Sequence, residues 1–338
     1  MEIIKRKNGI KAELYCADCL EKMKDIPDHS VNLVLVDLPY NLTACEWDKE
    51  VLPLDKLWAE WKRICKKNGQ VVLFGVEPFS SKVRMSNIKR YRYDWIWKKR
   101  TAAGFLSAKK APLKDYENIM VFYTSDLMND TTNFFHSVKT YLIQERDKAR
   151  AAGYRMKDVL GNFMYNHYFT MKTQFAFPKR EDYEKLQTTG FFKREYDELK
   201  REYDEQKNHV IYNPQFTQGK PYKAELVGWG CAQYGMNEKH ILYGSPDGKR
   251  YPKQILECGY DKKRGYHPTQ KPVKLLEYLI KTYTNEGMTV LDCCMGSGST
   301  GVACMNTNRN FIGIEKLEEY YDTSIMRIAE AAEGASDE

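Results

Sequence analysis

No stretch of the 338 residues approaches the roughly 20 consecutive apolar residues that a membrane-spanning helix needs. A mean hydropathy of −0.65 argues the same way. The start, Met1-Glu2-Ile3-Ile4-Lys5, lacks the long apolar core of a signal peptide. Both absences speak against a membrane or secreted protein and predict a cytoplasmic chain whose nine cysteines are reduced thiols. Cys16 and Cys19 have metal-ligand spacing, but no second C-x-x-C pair completes a zinc site, so no metal is expected. What is present is ordinary core material, 42% hydrophobic. The length fits about two domains, or one large domain with an insertion.

The net charge is only +7, but it is unevenly spread. Between Lys82 and Lys114 eleven basic residues stand against one acid, Asp94, and Tyr91, Tyr93, Trp95 and Trp97 are interleaved with them. Cations neutralise phosphates and release counterions, so the segment reads as a nucleic-acid surface. It reads equally as a solvated strand face with aromatics alternating into the core.

Strands alternate with helices at both ends of the chain. Val31 to Val36 is a short, continuous apolar run of the kind found in buried parallel strands. Asp55 to Cys65 has helical spacing that Asn68-Gly69 stops, and Gln70–Gly75 and Asn118–Tyr123 read as further buried strands. Toward the other end, Pro272 opens an amphipathic helix over Val273–Tyr283. A strand at Thr289–Asp292, a glycine-rich turn, a helix around Thr300–Asn306 and a strand at Asn310–Glu315 follow. This pattern predicts an α/β fold with a doubly wound, mostly parallel sheet.

Residues 124–209 differ: the strand signal fades and charge-rich helical sequence takes over. Tyr141–Ala151, Met156–Leu160 and Tyr165–Thr173 read as three short helices with Gly153 and Gly161 at the turns, a weak helix-turn-helix spacing. Arg194–Lys200 and Arg201–Lys207 form a tandem seven-residue repeat, which reads as an exposed helix held by i,i+4 charge pairs. The expected organisation is thus 1–123 and 210–330 as two parts of one catalytic domain, 124–209 as a helical insertion, and 331–338 as a disordered tail.

Two clusters carry chemistry. In Val290-Leu291-Asp292-Cys293-Cys294-Met295-Gly296-Ser297-Gly298-Ser299-Thr300 an apolar strand ends in an acid, and a glycine-rich turn enters a helix. Glycine admits positive φ and lets a ligand approach the backbone. The next strand ends in Glu315, an acid placed to accept the ribose hydroxyls of an adenosine. The glycines alone do not separate NAD from a sulfonium methyl donor. The second cluster, Asp37-Leu38-Pro39-Tyr40, follows the Val31–Val36 strand. The Asp37 carboxylate and the Leu38 carbonyl can each accept one hydrogen of an exocyclic amine. They would draw its lone pair toward the geometry that attacks a methyl sulfonium. Pro39 fixes φ, and Tyr40 can stack on a base for about 1–3 kcal/mol.

Taken together, the clusters resemble the amino-group DNA methyltransferases of the β arrangement, whose catalytic tetrapeptide (Asp-Pro-Pro-Tyr or Ser-Pro-Pro-Tyr) precedes the cofactor motif. Further matches are Tyr15-Cys16-Ala17-Asp18-Cys19-Leu20, Leu73-Phe74-Gly75 and His267-Pro268-Thr269-Gln270-Lys271-Pro272. The resemblance covers roughly residues 10–123 and 210–330. It implies a class I methyltransferase fold and S-adenosylmethionine as cofactor, held by Asp292, Gly296, Gly298 and Glu315. It places Asp18 at the adenine end and Thr269 and Lys271 at the methionine end, and counts Cys19 and Asp37 among the cofactor-binding residues. Leu38 replaces the first proline of the tetrapeptide, where only a backbone carbonyl is needed. Cys293-Cys294-Met295 departs from the usual Pro and Phe of the cofactor turn.

A base inside a duplex cannot reach Asp37, so the resemblance implies base flipping, at a few kcal/mol of unstacking. Lys98, Lys99, Arg100, Lys109 and Lys110 would hold the opened double-stranded DNA. The insertion would read sequence, with Asn166, His167 and Lys172 as candidates because Asn and Lys pair with adenine and guanine edges. Asp rather than Ser at position 37 favours adenine N6, with cytosine N4 as the alternative. A release-factor-type protein methyltransferase would carry its tetrapeptide after the glycine motif. A non-catalytic DNA-binding regulator would predict decay of one cluster, and an NAD oxidoreductase leaves Asp37 unexplained. A homodimer, a cognate restriction endonuclease and a bacterial or phage source stay open.

Overall fold

The computed structural model describes residues 1–41, 52–124, 136–170, 175–207, 211–226, 241–259 and 270–334. In chain order its strands are β1 (Glu2–Lys5), β2 (Lys11–Cys16), β3 (Val31–Val36), β4 (Cys65–Gly75), β5 (Tyr91–Ala103), β6 (Lys114–Tyr123), β7 (Thr217–Gln218), β8 (Tyr222–Leu226), β9 (Ile241–Ser245), β10 (Lys249–Arg250), β11 (Ile255–Glu257), β12 (Thr289–Asp292) and β13 (Asn310–Glu315). The chain gathers into two compact units: Met1–Asp18 with Asp94–Ile119 and Tyr212–Glu338, and Cys19–Tyr93 with Met120–Ile211. Residues 19–93 therefore cluster with the insertion, a division set by shared packing and not by the order of motifs along the chain.

In the first unit β2 pairs antiparallel with β1 and parallel with β13, which pairs parallel with β12. The helix Ser299–Asn306 makes the β12-to-β13 crossover and packs against both Val273–Tyr283 and Glu318–Gly334. Pairing sets Asp292 opposite Gly313 and Glu315 opposite Cys16, so the acids end neighbouring strands on the same side. In the same unit β11 runs parallel to β5. Trp95 and Trp97 on β5 are buried and donate their indole N–H groups to the Tyr283 hydroxyl (2.6 Å) and the Cys258 carbonyl (2.9 Å). These two tryptophans thus belong to the core and are not available to a nucleic acid.

The second unit is built on β3, buried along its whole length and parallel to β4, with Val34 opposite Val71. The helix Leu54–Ile64 buries Leu54, Leu57, Trp61 and Ile64, one apolar stripe at helical spacing. Asn68-Gly69 does not stop this helix: β4 begins directly at Cys65, and the pair lies in an irregularity where the register jumps from Val31–Cys65 to Leu33–Gln70. A Cβ on Gly69 would meet the Cys65 Cβ and the Lys66 carbonyl at 3.0 Å, so the tight loop there needs glycine.

In the insertion, the helices His136–Ala151, Met156–Leu160, Tyr165–Tyr168, Arg180–Gln187 and Tyr196–Lys207 share a core of Leu142, Tyr168, Tyr183, Phe192 and Leu199 among others. The seven-residue repeat is a surface helix, with Lys200 and Asp204 paired at 2.5 Å and Leu199 turned inward. The helix expected over Tyr165–Thr173 is a single turn ending at Tyr168. The chain folds back there, and the Ala176 N–H donates to the His167 carbonyl at 3.0 Å. Helix is thus confined to one turn among the described residues of this stretch, and residues 171–173 of the expected helix lie outside them.

The last helix runs to Gly334, four residues into the expected tail, because Ile328 and Ala332 are buried and hold its inner face. Among the described residues no helix is long and apolar enough to cross a membrane, and no cysteine is in a disulfide. The mixed α/β fold with a mostly parallel sheet forms as the strand–helix alternation predicts.

Gly301 sits inside the Ser299–Asn306 helix, where alanine would gain about 1 kcal/mol of helix propensity. Its Cβ, however, would lie 2.3 Å from Ile328 Cδ1 and 2.8 Å from both Ile328 Cγ1 and Phe311 Cε1. Overpacking of about 1–3 kcal/mol outweighs the gain. Gly301→Ala should therefore lower the urea midpoint with an unchanged slope, and an unchanged or higher midpoint contradicts this packing.

Candidate active site

The glycine turn of the first unit is held by its flanking acids. Asp292 is buried at the end of β12; its Oδ1 accepts the Cys294 N–H at 3.1 Å and its Oδ2 the Thr300 hydroxyl at 2.6 Å. Glu315 Oε2 accepts the Gly296 N–H at 2.8 Å, and its Oε1 accepts the Lys316 and Leu317 N–H groups at 2.9 and 3.0 Å. The sequence assigned both acids to a ligand. In the structure they first fix the backbone that would meet one.

Gly296 and Gly298 take φ of 51° and 78°, a left-handed conformation that costs glycine little. Gly298 precedes the Ser299–Asn306 helix and makes no side-chain cap hydrogen bond there. Arg327 is a feature the sequence did not disclose. Buried on the last helix, it donates through Nη1 to the Ser297 carbonyl at 2.5 Å and to the Ser297 and Ser299 hydroxyls at 2.9 and 3.2 Å. It lies about thirty residues from the turn, too far for any local pattern to signal. The same strand ends receive Asp18: the Ala17 N–H donates to the Glu315 carbonyl at 2.9 Å, and Asp18 lies 3.8 Å from Lys316 Nζ. The structure thus brings Asp18, Asp292, Gly296, Gly298 and Glu315 to the carboxyl ends of β2, β12 and β13.

In the second unit, Asp37-Leu38-Pro39-Tyr40 leaves the carboxyl end of β3. The Tyr40 hydroxyl donates to Asp37 Oδ1, closing the tetrapeptide on itself. The Tyr40 ring lies against Phe79, centroids 4.8 Å apart and tilted by 36°. Leu38 is buried, so its side chain serves packing while its carbonyl belongs to the turn. At Gly75, the last residue of β4, a Cβ would lie 2.8 Å from Ser80 Oγ and 2.9 Å from Met120 Cε, close packing that glycine accommodates in Leu73-Phe74-Gly75. Cys19 opens the short helix Cys19–Met23 and is buried.

Among the basic candidates, Lys98, Arg100, Lys109 and Lys110 are exposed. Lys99 is not a surface cation: it is mostly buried, bonded to Glu117 Oε1 at 2.5 Å and 5.3 Å from the Trp97 ring. Lys271, expected at the methionine end of a cofactor, is buried 3.5 Å from Glu117 Oε2. One carboxylate thus lies between two ammoniums. In the insertion Asn166 is exposed and His167 half-buried, while Tyr168 is buried with its hydroxyl on Asp182 at 2.5 Å. Burial, with Asp182 adding to it, pushes the Tyr168 phenol up to about 12. Thr269 and Lys172 lie outside the described residues.

Burial alone would raise the Glu117 carboxyl, but Lys271 and Lys99 outweigh it and hold the group below the ordinary carboxylate range. A depressed carboxylate contributes stability above its unfolded value of about 4.3, and that contribution is lost as pH falls through the lower folded value. Glu117→Gln leaves two ammoniums buried without their counter-charge. It should cost about 3–5 kcal/mol at pH 7 and flatten the loss of stability on the acid side. Urea midpoints across pH read both effects, and equal midpoints for the two proteins would contradict the buried triad.

Comparison with known proteins places both turns in one family. The DNA methylase model N6_N4_Mtase matches residues 31–326. YubD of Escherichia coli (strain K12), named as a methylase, is 47% identical over 124 residues, 36% of this chain and 50% of YubD. The type II methyltransferase M.HindIII of Haemophilus influenzae is 35% identical over 103 residues, 30% of this chain and 29% of its own. The chain spans half or less of the length of these relatives. The crystal structure of the M1.HpyAVI–SAM complex aligns over 94% of this chain and 99% of its own, at 20% identity and a TM-score of 0.47. The matched stretch runs from the first residue of β3, through the Asp37 tetrapeptide and the glycine turn, into the last helix, and on that extent the chain belongs to the N6_N4_Mtase family of DNA methylases.

Proposed function

We propose that the chain transfers a methyl group from S-adenosylmethionine to the N6 amino group of an adenine flipped out of double-stranded DNA. The observation that carries this reading is the Asp37–Tyr40 turn at the carboxyl end of a wholly buried strand, its carboxylate oriented by the tyrosine hydroxyl. Asp37 and the Leu38 carbonyl accept the two amino hydrogens, and Pro39 keeps both acceptors fixed before the base arrives. Tyr40 offers its ring to the base, backed by Phe79. The choice of adenine over cytosine N4 rests on aspartate at position 37.

The glycine turn fits the proposed donor. Two positive-φ glycines, a helix start without a side-chain cap and two strand-end acids support a site for an adenosine bearing an amino acid. S-adenosylmethionine, when bound, supplies an electrophilic methyl on a sulfonium. Gly296 and Gly298 give it backbone access, Glu315 and Asp18 offer carboxylates for its nucleoside end, and Cys19, Thr269 and Lys271 complete its contacts. Asp292, at the end of its strand, joins them as a cofactor contact while also holding the turn through Cys294 and Thr300, and Arg327 holds it through Ser297 and Ser299. The type II methyltransferase name of M.HindIII extends the proposal to a restriction–modification pair with a cognate endonuclease.

Asp37→Ala should abolish methylation of duplex DNA while leaving S-adenosylmethionine affinity within about threefold by calorimetry, less than the tenfold that 1.4 kcal/mol makes. Tyr40→Phe keeps the ring and removes a hydrogen bond to a charged group, so kcat should fall by about tenfold at unchanged DNA affinity. Loss of cofactor binding in the Asp37 variant, or full activity in it, would overturn the assignment.

A further inference from the structure

The turn between β5 and β6 carries two adjacent apolar side chains almost wholly in water: Phe105 is 66% exposed and Leu106 106%. Gly104 enters the turn at φ 92°, a left-handed conformation that glycine takes without a Cβ clash. Lone exposed apolar residues are common, but this pair lies in a stretch of chain whose charged residues from Lys98 to Lys114 are all cationic. Lys98, Arg100, Lys109, Lys110 and Lys114 are all exposed, and none has an ion-pair partner among the described residues. No acid interrupts the sequence from Lys98 to Lys114. The sixth cation, Lys99, is withdrawn to Glu117, so the buried and the displayed charges are sorted between the two faces of β5.

An apolar tip flanked by cations matches duplex DNA, whose base steps accept apolar wedges while the phosphates on either side take the lysines and arginines. We propose that Phe105 and Leu106 form a wedge that enters the base stack and lowers the cost of extruding the target base, with the five flanking cations holding the adjacent phosphates. This inference rests on the reading of the chain as a DNA methyltransferase and assigns it a further DNA-contacting element. Extrusion costs a few kcal/mol from a matched duplex and less from a mismatched one, so a wedge matters most where the target base is well paired.

The test uses the full chain and duplexes carrying the site found by sequencing modified bases in exposed DNA. Phe105→Ser with Leu106→Ser should slow methyl transfer about tenfold or more on the matched duplex and leave it near the wild-type rate when the target base is mismatched. Lys109→Ala with Lys110→Ala should instead weaken binding to all sequences alike and lower the salt slope by about 2. Equal rates for the serine variant and the wild type on both duplexes, or equal slowing on both, would overturn the wedge. So would binding of the wild type, but not the variant, to phosphatidylserine vesicles with methylation unaffected, since the tip would then serve a lipid surface. A wild type that methylates no DNA removes the functional reading and the wedge with it; a wild type and variant equally active on DNA remove the wedge alone.

Discussion

Two carboxylates at the ends of neighbouring parallel strands, Asp292 and Glu315, hold a glycine-rich turn by its own amides and a hydroxyl. Each acid, Asp292 buried and Glu315 half-buried, accepts from donors of the turn, and hydrogen bonds to a charged acceptor are stronger than neutral ones. Arg327 closes the turn from the other side through Ser297 and Ser299. A loop of small residues thereby acquires one shape before any ligand binds. Preorganisation of this kind limits what the ligand must supply, because ordering costs are met in folding.

The same economy of groups shapes the Asp37 tetrapeptide. A carboxylate standing alone at a strand end would sample rotamers, whereas the Tyr40 hydroxyl fixes one oxygen and the proline fixes the backbone. Tyrosine therefore does two jobs, one through its oxygen and one through its ring. Phenylalanine would keep the ring and lose the alignment. Across the basic segment, charge is likewise divided by burial: Glu117 draws Lys99 and Lys271 inward, and the remaining cations face water around an apolar tip.

Much of this was legible in the sequence where the signal is local. The amphipathic helix Val273–Tyr283 and the strands at Thr289–Asp292 and Asn310–Glu315 form over the residues that periodicity and apolar runs mark. So do the fully buried β3 and the surface helix of the repeat. What escaped was tertiary. Asn68-Gly69 reads as a helix stop because glycine and asparagine usually are, yet here they loop out of a strand that has already begun. Lys99 looks like any lysine of a basic run until the fold brings Glu117 beside it, eighteen residues on. Tyr165–Thr173 has helical spacing, but the helix ends at Tyr168, and the Ala176 N–H donates to the His167 carbonyl, a contact that no local pattern signals. The sequence marks Asp292 as an acid at a strand end, but not that Cys294 and Thr300 are the donors on its oxygens.

Methyl transfer to an exocyclic amino nitrogen of a DNA base is the reaction to which both turns are fitted. The most direct measurement is nucleoside mass spectrometry of duplex DNA incubated with the purified chain and methyl-labelled S-adenosylmethionine. The account predicts label in N6-methyladenine. Label in N4-methylcytosine would keep the amino chemistry and overturn the choice of base; label in 5-methylcytosine, a carbon product that Asp37 and the Leu38 carbonyl cannot promote, or no labelled nucleoside at all, would contradict the central claim.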